Sequence, residues 1–268
     1  FLRKKIEGIV EWKNLTVEKG YGHEPVKAEE MLAWLKKYGD PIKKYIRNTT
    51  VFLNEAMKQG KKIMFEAQLG ALRDIDCGIC PYTTSSNSIS AYAPVGSGAP
   101  WLRVDEVIGV VKAYSTCVGE GPFTCEMFGE EADELVEAGA EYGAKTGRKR
   151  RVGPIDLVAT RYGVLMQGAT ELALTKLDVL SYMDKIPVCA HYELNGTVTD
   201  KFPFPAALPD AKPVTEYVQG WHCDISKVRC WDELPEAAKR YVELIEQAVG
   251  CHIKYVSVGP EREAYMER

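Results

Sequence analysis

The chain has 268 residues, with 34 Lys and Arg against 38 Asp and Glu, a formal net charge of -4, a pI near 5.7 and 46% hydrophobic residues. That length supports one large or two small domains with a real core, and the acidic balance argues against nucleic acid as a partner. No run approaches the roughly 20 apolar residues that span a bilayer, and the opening Phe1-Leu2-Arg3-Lys4-Lys5 lacks the apolar centre of a signal peptide, so no membrane association and a cytoplasmic location are expected.

The first residue is not methionine and the chain opens in mid-pattern with a charged, helix-compatible run, which reads as a fragment or a processed chain. Eight cysteines spread from Cys77 to Cys251 are expected to be reduced thiols rather than a disulfide scaffold. Cys77-Gly-Ile-Cys80 has no second pair at similar spacing, and His23, His191, His222 and His252 share no ligand spacing, so no metal site is expected in this stretch.

In chain order, Met31, Leu32, Leu35 and Tyr38 recur at helical spacing, Asp40-Pro41 interrupts, and Ile42, Tyr45 and Ile46 resume the pattern. This predicts two packed core helices. Thr49 or Thr50 caps a third helix through Met57 that Gly60 stops, and Lys61 to Phe65 reads as a short buried strand. Glu66 to Asn87 is a long polar loop with clustered hydroxyls, of a length that points to function. Val104, Val107, Ile108 and Val111 predict an amphipathic helix, and Ala132, Leu135, Val136 and Gly139 mark the inner face of another from Glu130 to Tyr142.

Gly143 to Pro154 then reads G-A-K-T-G-R-K-R-R-V-G-P, with Arg148, Lys149, Arg150 and Arg151 between glycines. Guanidinium forks match carboxylate and phosphate oxygens two at a time, so the loop suits an anion clamp, although K/R-rich runs are also found as solvated faces. A helix through Ile155, Val158, Tyr162 and Leu165 follows, and then a strand from Thr170 that ends in Thr175-Lys176-Leu177-Asp178. A carboxylate just past a strand's carboxyl end sits where open α/β sheets bind ligands, and Asp can accept from both the ring N–H and the exocyclic amine of guanine. Ile186 to Leu194 alternates strictly before Asn195-Gly196, a hairpin signal. Phe202 to Pro213 is a proline-rich excursion. A helix from Leu234 to Val249 and a strand from Ile253 to Val256 opening into Ser257-Val-Gly-Pro260 complete the chain.

Taken in order, five blocks resemble the adenylosuccinate synthetase family. They are D-I-D-x-G-x-x-P-Y-x-T-S-S-N at Asp74 to Asn87, V-K-A-Y-S-T-x-V-G-x-G-P-F at Val111 to Phe123, T-G-R-K-R-R-x-G at Thr146 to Gly153, T-K-L-D-V-L at Thr175 to Leu180 and S-V-G-P at Ser257 to Pro260. The resemblance implies a single domain over 1–268 with a mixed α/β fold: a mostly parallel sheet, flanking helices, an antiparallel hairpin excursion, and an N-terminal part that is missing. It implies GTP-dependent ligation of IMP and L-aspartate to adenylosuccinate by a Mg²⁺-dependent homodimer. By resemblance, Gln68, Thr84 and Arg148 face IMP, and Ala144, Lys145, Thr146, Gly147, Arg148, Lys149 and Arg150 form the aspartate-binding loop. Arg150, Lys176, Leu177, Asp178, Ser257, Val258 and Gly259 face GTP.

Three departures from the family pattern stand out. Glu66-Ala-Gln-Leu-Gly70 replaces E-G-A-Q-G, which moves the expected IMP-contacting glutamine to Gln68, and Lys145 stands where the family commonly has threonine. No G-x-x-x-x-G-K-[ST] or similar phosphate nest occurs. The family's catalytic groups and metal ligands are therefore expected upstream of Phe1, and the chain alone is expected to be inactive. A complete, non-catalytic purine-nucleotide-binding paralogue is the alternative.

Overall fold

The computed structural model describes residues 1–268 except Ala144 and Thr146. The described residues divide into two units, Phe1–Lys62 and Ile63–Arg268. No described helix is long and apolar enough to cross a membrane.

The first unit is helical. It contains α1 (Leu2–Lys19), α2 (Ala28–Gly39), a 3₁₀ turn at Asp40–Tyr45 and α3 (Thr49–Lys58). Asn14 pins the connection after α1 by donating to and accepting from the Val26 backbone, both at 2.9 Å. Asn48, rather than Thr49 or Thr50, caps α3 by accepting from the Val51 N–H. Pro41 is tolerated because it stands in the first turn of the 3₁₀ segment. The second core helix expected after Asp40 is instead this six-residue 3₁₀ segment. None of these helices buries a residue, and Trp12 and Trp34 are exposed. The expected core here is absent because periodicity aligns apolar side chains on one face without supplying a neighbour to cover them.

Lys61 to Phe65, where the first unit ends and the second begins, is not a strand: no described strand pairs with it and Met64 is exposed. The long loop holds a 3₁₀ turn at Ala71–Arg73 and leads to α4 (Tyr92–Ser97). The helix expected around Val104 to Val111 is instead strand β1 (Ile108–Lys112). Its Val and Ile content favours a strand, and Gly109 permits close packing, since a Cβ there would lie 2.8 Å from Leu172 Cδ2.

β2 (Ser115–Cys117), α5 (Glu130–Gly139), β3 (Arg151–Gly153), β4 (Ile155–Asp156) and α6 (Leu157–Gln167) follow. α5 stops short of Tyr142 because Ala140 turns left-handed at φ 49. The remaining elements are β5 (Glu171–Thr175), a 3₁₀ segment Leu177–Tyr182, β6 (Lys185–Leu194), β7 (Thr197–Thr199), β8 (Lys212–Gln219), α7 (Glu236–Val249), β9 (Ile253–Ser257) and β10 (Tyr265–Glu267).

One sheet runs β1-β5-β9-β10, with the first three strands parallel and β10 antiparallel at its edge. In a second sheet β4 lies parallel to β6, while β7 and β8 pair with β6 antiparallel. The β6–β7 hairpin turns at Asn195 and Gly196, both at positive φ. The chain is thus a mixed α/β fold whose principal sheet is mostly parallel, with flanking helices and a hairpin excursion. Leu172, Leu174, Ile253 and Val256 of the sheet join Leu135 of α5 and Ile245 of α7 in the main core.

Candidate active site

Three parallel strands end side by side. The register sets Lys112 of β1 beside Thr175 of β5, and Leu174 of β5 beside Val256 of β9. The turns that leave these strands therefore share one edge of the sheet, the edge at which open α/β folds collect ligand-binding groups.

A carboxylate organises this edge. Glu141 lies just past α5, and its side chain is 0% exposed. Its Oε1 accepts from Tyr114 Oη at 2.6 Å and Lys112 Nζ at 2.9 Å, and lies 3.1 Å from Lys176 Nζ; its Oε2 accepts from Arg150 Nη1 at 2.7 Å. Burial alone would push this carboxyl up, but the bonds from Tyr114, Lys112 and Lys176 outweigh it and hold the carboxyl at about 2. Burial pushes the Lys112 ammonium down, against the pull of Glu141, and it pushes the Tyr114 phenol up. Neither Glu141, Lys112 nor Tyr114 stands out in sequence as a site residue. The available signals were the K-A-Y run within the Val111 to Phe123 block and an acid two residues before the cationic loop.

The cationic loop begins beside this carboxylate. Tyr142 and Lys149 form an antiparallel bridge, the Gly143 N–H donates to Arg148 O at 2.9 Å, and the Arg150 N–H donates to Glu141 O at 2.9 Å. Gly147 closes the loop at φ 64, with its N–H on Gly143 O. Lys145, Gly147 and Arg148 are exposed, while Ala144 and Thr146 of the expected aspartate loop lie outside the described residues.

The four cations divide their partners. Lys149 pairs with Asp133 of α5, Arg150 with Glu141, and Arg151 grips Glu126 through Nε and Nη2 while donating to the Gly119 and Gly121 carbonyls. Lys149, Arg150 and Arg151 thus hold the protein's own acids. One buried nitrogen, Arg150 Nε, has no partner among the described residues.

The turn after β5 is the second component. Lys176 adopts a left-handed conformation at φ 60, and its Nζ also donates to Gly139 O at 2.5 Å. Leu177 is buried in the core, and Asp178 follows at the start of the 3₁₀ segment. Burial pushes the Asp178 carboxyl up, and its Oδ1 is buried without a partner among the described residues. On the neighbouring strand, Ser257 Oγ donates to Gly259 O at 3.1 Å and the Val258 N–H donates to Ala264 O at 2.9 Å, which fixes the turn beside Asp178.

The hydroxyl-rich loop is the third component. Asp74 is buried and accepts from the N–H groups of Asp76, Cys77, Ser88 and Ile89. Thr84 is anchored by its N–H on Arg73 O at 2.8 Å, and Arg73 reaches Cys117 Sγ, Val118 O and Glu120 O. Because Arg151 binds carbonyls of the same segment, Thr84's loop and the cationic loop share a scaffold. Gln68 is exposed, ahead of this scaffold.

Among the described residues, Cys125, Asp156 and Cys189 are a buried group with metal-ligating atoms close together. Their hydrogen-bonding capacity is already used. Asp156 accepts from the Ala159 N–H, Tyr192 Oη and Cys125 Sγ, and Cys189 donates to His191 O.

A sequence profile described as adenylosuccinate synthetase matches residues 1–266. The chain is 42% identical over 264 residues to the adenylosuccinate synthetase of Caldanaerobacter subterraneus subsp. tengcongensis, and 43% identical over 263 residues to that of Thermoanaerobacter sp. strain X514. Each alignment takes in 97% of this chain and 61% of the relative, so the chain spans less than two thirds of the length of the curated proteins it matches. Among solved structures, fully ligated adenylosuccinate synthetase from Plasmodium falciparum superposes with a TM-score of 0.88 at 32% identity, over 99% of this chain and 62% of that one. A cyanophage S-2L succinoaminodeoxyadenylate synthetase shares the fold alone, at a TM-score of 0.52 and 14% identity.

Proposed function

The chain belongs to the adenylosuccinate synthetase family, and from that premise we propose that it carries the base-reading and dicarboxylate-gripping part of a ligase that joins IMP and L-aspartate using GTP. The observation that carries this reading is Asp178: a carboxylate at the carboxyl end of a parallel strand, with a buried oxygen that no described group satisfies. An acceptor left in that state is costly, and a guanine edge brings the ring N–H and amine that would satisfy it. Lys176, Leu177 and Asp178, with Ser257, Val258 and Gly259 on the adjoining turn, form this guanine-facing group.

Ala144 to Arg150 receives the aspartate substrate, whose two carboxylates suit guanidinium forks. Arg148 is shared with IMP, and Arg150 faces the GTP side. Thr84 and Gln68 complete the IMP side. The ligase is a cytoplasmic homodimer on this reading.

The family's GTP chemistry implies Mg²⁺, and the residues here do not fit it. Glu141 is saturated by cations, and among the described residues the one group of three ligating side chains contains two thiols, which suit soft metals rather than a hard oxygen-seeking ion.

Calorimetry with GDP and ADP tests the base assignment. GDP should bind the chain more tightly than ADP, and Asp178→Asn should shrink the difference by about 1–3 kcal/mol. Equal affinity for the two nucleotides in the unaltered chain would overturn the reading.

A further inference from the structure

We propose that Glu141 is a positioning residue that couples the turn at Lys176–Asp178 to the cationic loop, so that occupying the first tightens the second. The names of the ligands rest on the function proposed above; the coupling itself rests on the contacts of one carboxylate.

Groups from both turns converge on Glu141. Lys176 approaches Oε1 from the carboxyl end of β5, and Arg150 grips Oε2 from the far end of the cationic loop. The Arg150 N–H also holds Glu141 O, so side chain and backbone register the loop against the same residue. Lys112 adds a third cation at Oε1. These three cations are only 26–34% exposed at the side chain, so their mutual repulsion is weakly screened.

The sign of the coupling follows. A base seated against Asp178 draws Lys176 away from Glu141 and onto its own face. Fewer cations then compete for the carboxylate, and Arg150 is held more firmly by the negative charge that Lys176 releases. The loop that ends at Arg150 closes harder when the base site is filled. Reciprocity requires that a ligand which orders the cationic loop also raises affinity for the base.

Amide hydrogen exchange reads this without turnover. The Gly143, Gly147 and Arg150 amides are bonded within or beside the loop, and the Val179 amide donates to Lys176 O in the base-reading turn. Lys176→Met removes one competitor while leaving the loop's own bonds intact. Exchange at Gly143 and Arg150 should slow by about fivefold or more. A general loss of stability would speed exchange, so unchanged or faster exchange in Lys176→Met overturns the proposal. The isosteric Glu141→Gln removes the charge that both turns share. In the unaltered chain GDP should protect Val179, Gly143 and Arg150 together; in Glu141→Gln it should protect Val179 alone. Protection of the loop by GDP in Glu141→Gln also overturns the coupling. If GDP protects Val179 in neither protein, the guanine assignment falls, and the ligand-free comparison with Lys176→Met still decides the coupling.

Discussion

Asp74 and Glu141 are both fully buried carboxylates at the heart of a loop, and they are satisfied in opposite ways. Asp74 takes mainly backbone N–H groups, from Asp76, Cys77, Ser88 and Ile89, with one longer side-chain bond from Asn87 at 3.4 Å, all within 15 residues of it in the chain. Glu141 takes a phenol and three cations drawn from β1, the turn after it, the turn after β5 and the end of the cationic loop. In both cases burial pushes the carboxyl up and the donors outweigh it. Backbone donors cannot leave, so Asp74 fixes the shape of one loop. Side-chain cations can be drawn off by a ligand, so Glu141 ties distant segments together in a way that responds to occupancy.

If that contrast holds, the two carboxylates should differ most when removed. Glu141→Ala leaves three half-buried cations without their shared carboxylate and should cost about 3–5 kcal/mol of unfolding free energy in urea titrations. A cost no larger than that of removing Asp74 would break the comparison.

Acid provides the next test. The folded Glu141 carboxyl sits at about 2 against an ordinary 4.5. A carboxyl depressed in the folded state stabilises fully above its ordinary value and stops doing so as pH falls through its folded value. About 3 kcal/mol should therefore disappear between roughly pH 4.5 and 2. Urea midpoints across that window should fall more steeply for the unaltered chain than for Glu141→Gln; equal slopes would assign the loss to other acids.

Asp74→Asn keeps one acceptor oxygen and should cost less, about 1–3 kcal/mol. Exchange should quicken mainly at Asp76, Cys77, Ser88 and Ile89. Smallest of the four, Tyr114→Phe removes one donor of four from Glu141 and should cost about 1 kcal/mol in the same titration, with the cations keeping the carboxylate in place.

Legibility in the sequence followed the range of the forces involved. The inner face of α5, the Asn195-Gly196 hairpin and the ends of β5 and β9 depend on neighbours a few residues away, and each was readable. β1 was not, because Val104, Val107, Ile108 and Val111 fit a helical period equally well; what decides for a strand is pairing with β5 and the close approach at Gly109. Trp34 and Tyr38 show the converse case: they lie on a genuinely amphipathic helix and stay exposed, their rings packed mainly on each other. In the candidate site, the cationic run and the Asp178 tetrad announced themselves by composition. Glu141 did not, since its importance lies in four partners scattered from Lys112 to Lys176.

Gly139 gives this architecture a sequence signature. It closes the last turn of α5, its carbonyl receives Lys176 Nζ, and a Cβ there would lie 2.3 Å from Tyr114 Oη and 3.1 Å from Glu141 Cγ. Alanine would serve the helix better by about 1 kcal/mol, so the absent methyl is a spacer that sets how near the helix end comes to the phenol. Positions 139 and 114 should accordingly vary as a pair across related chains, a small residue at one accompanying an aromatic ring at the other.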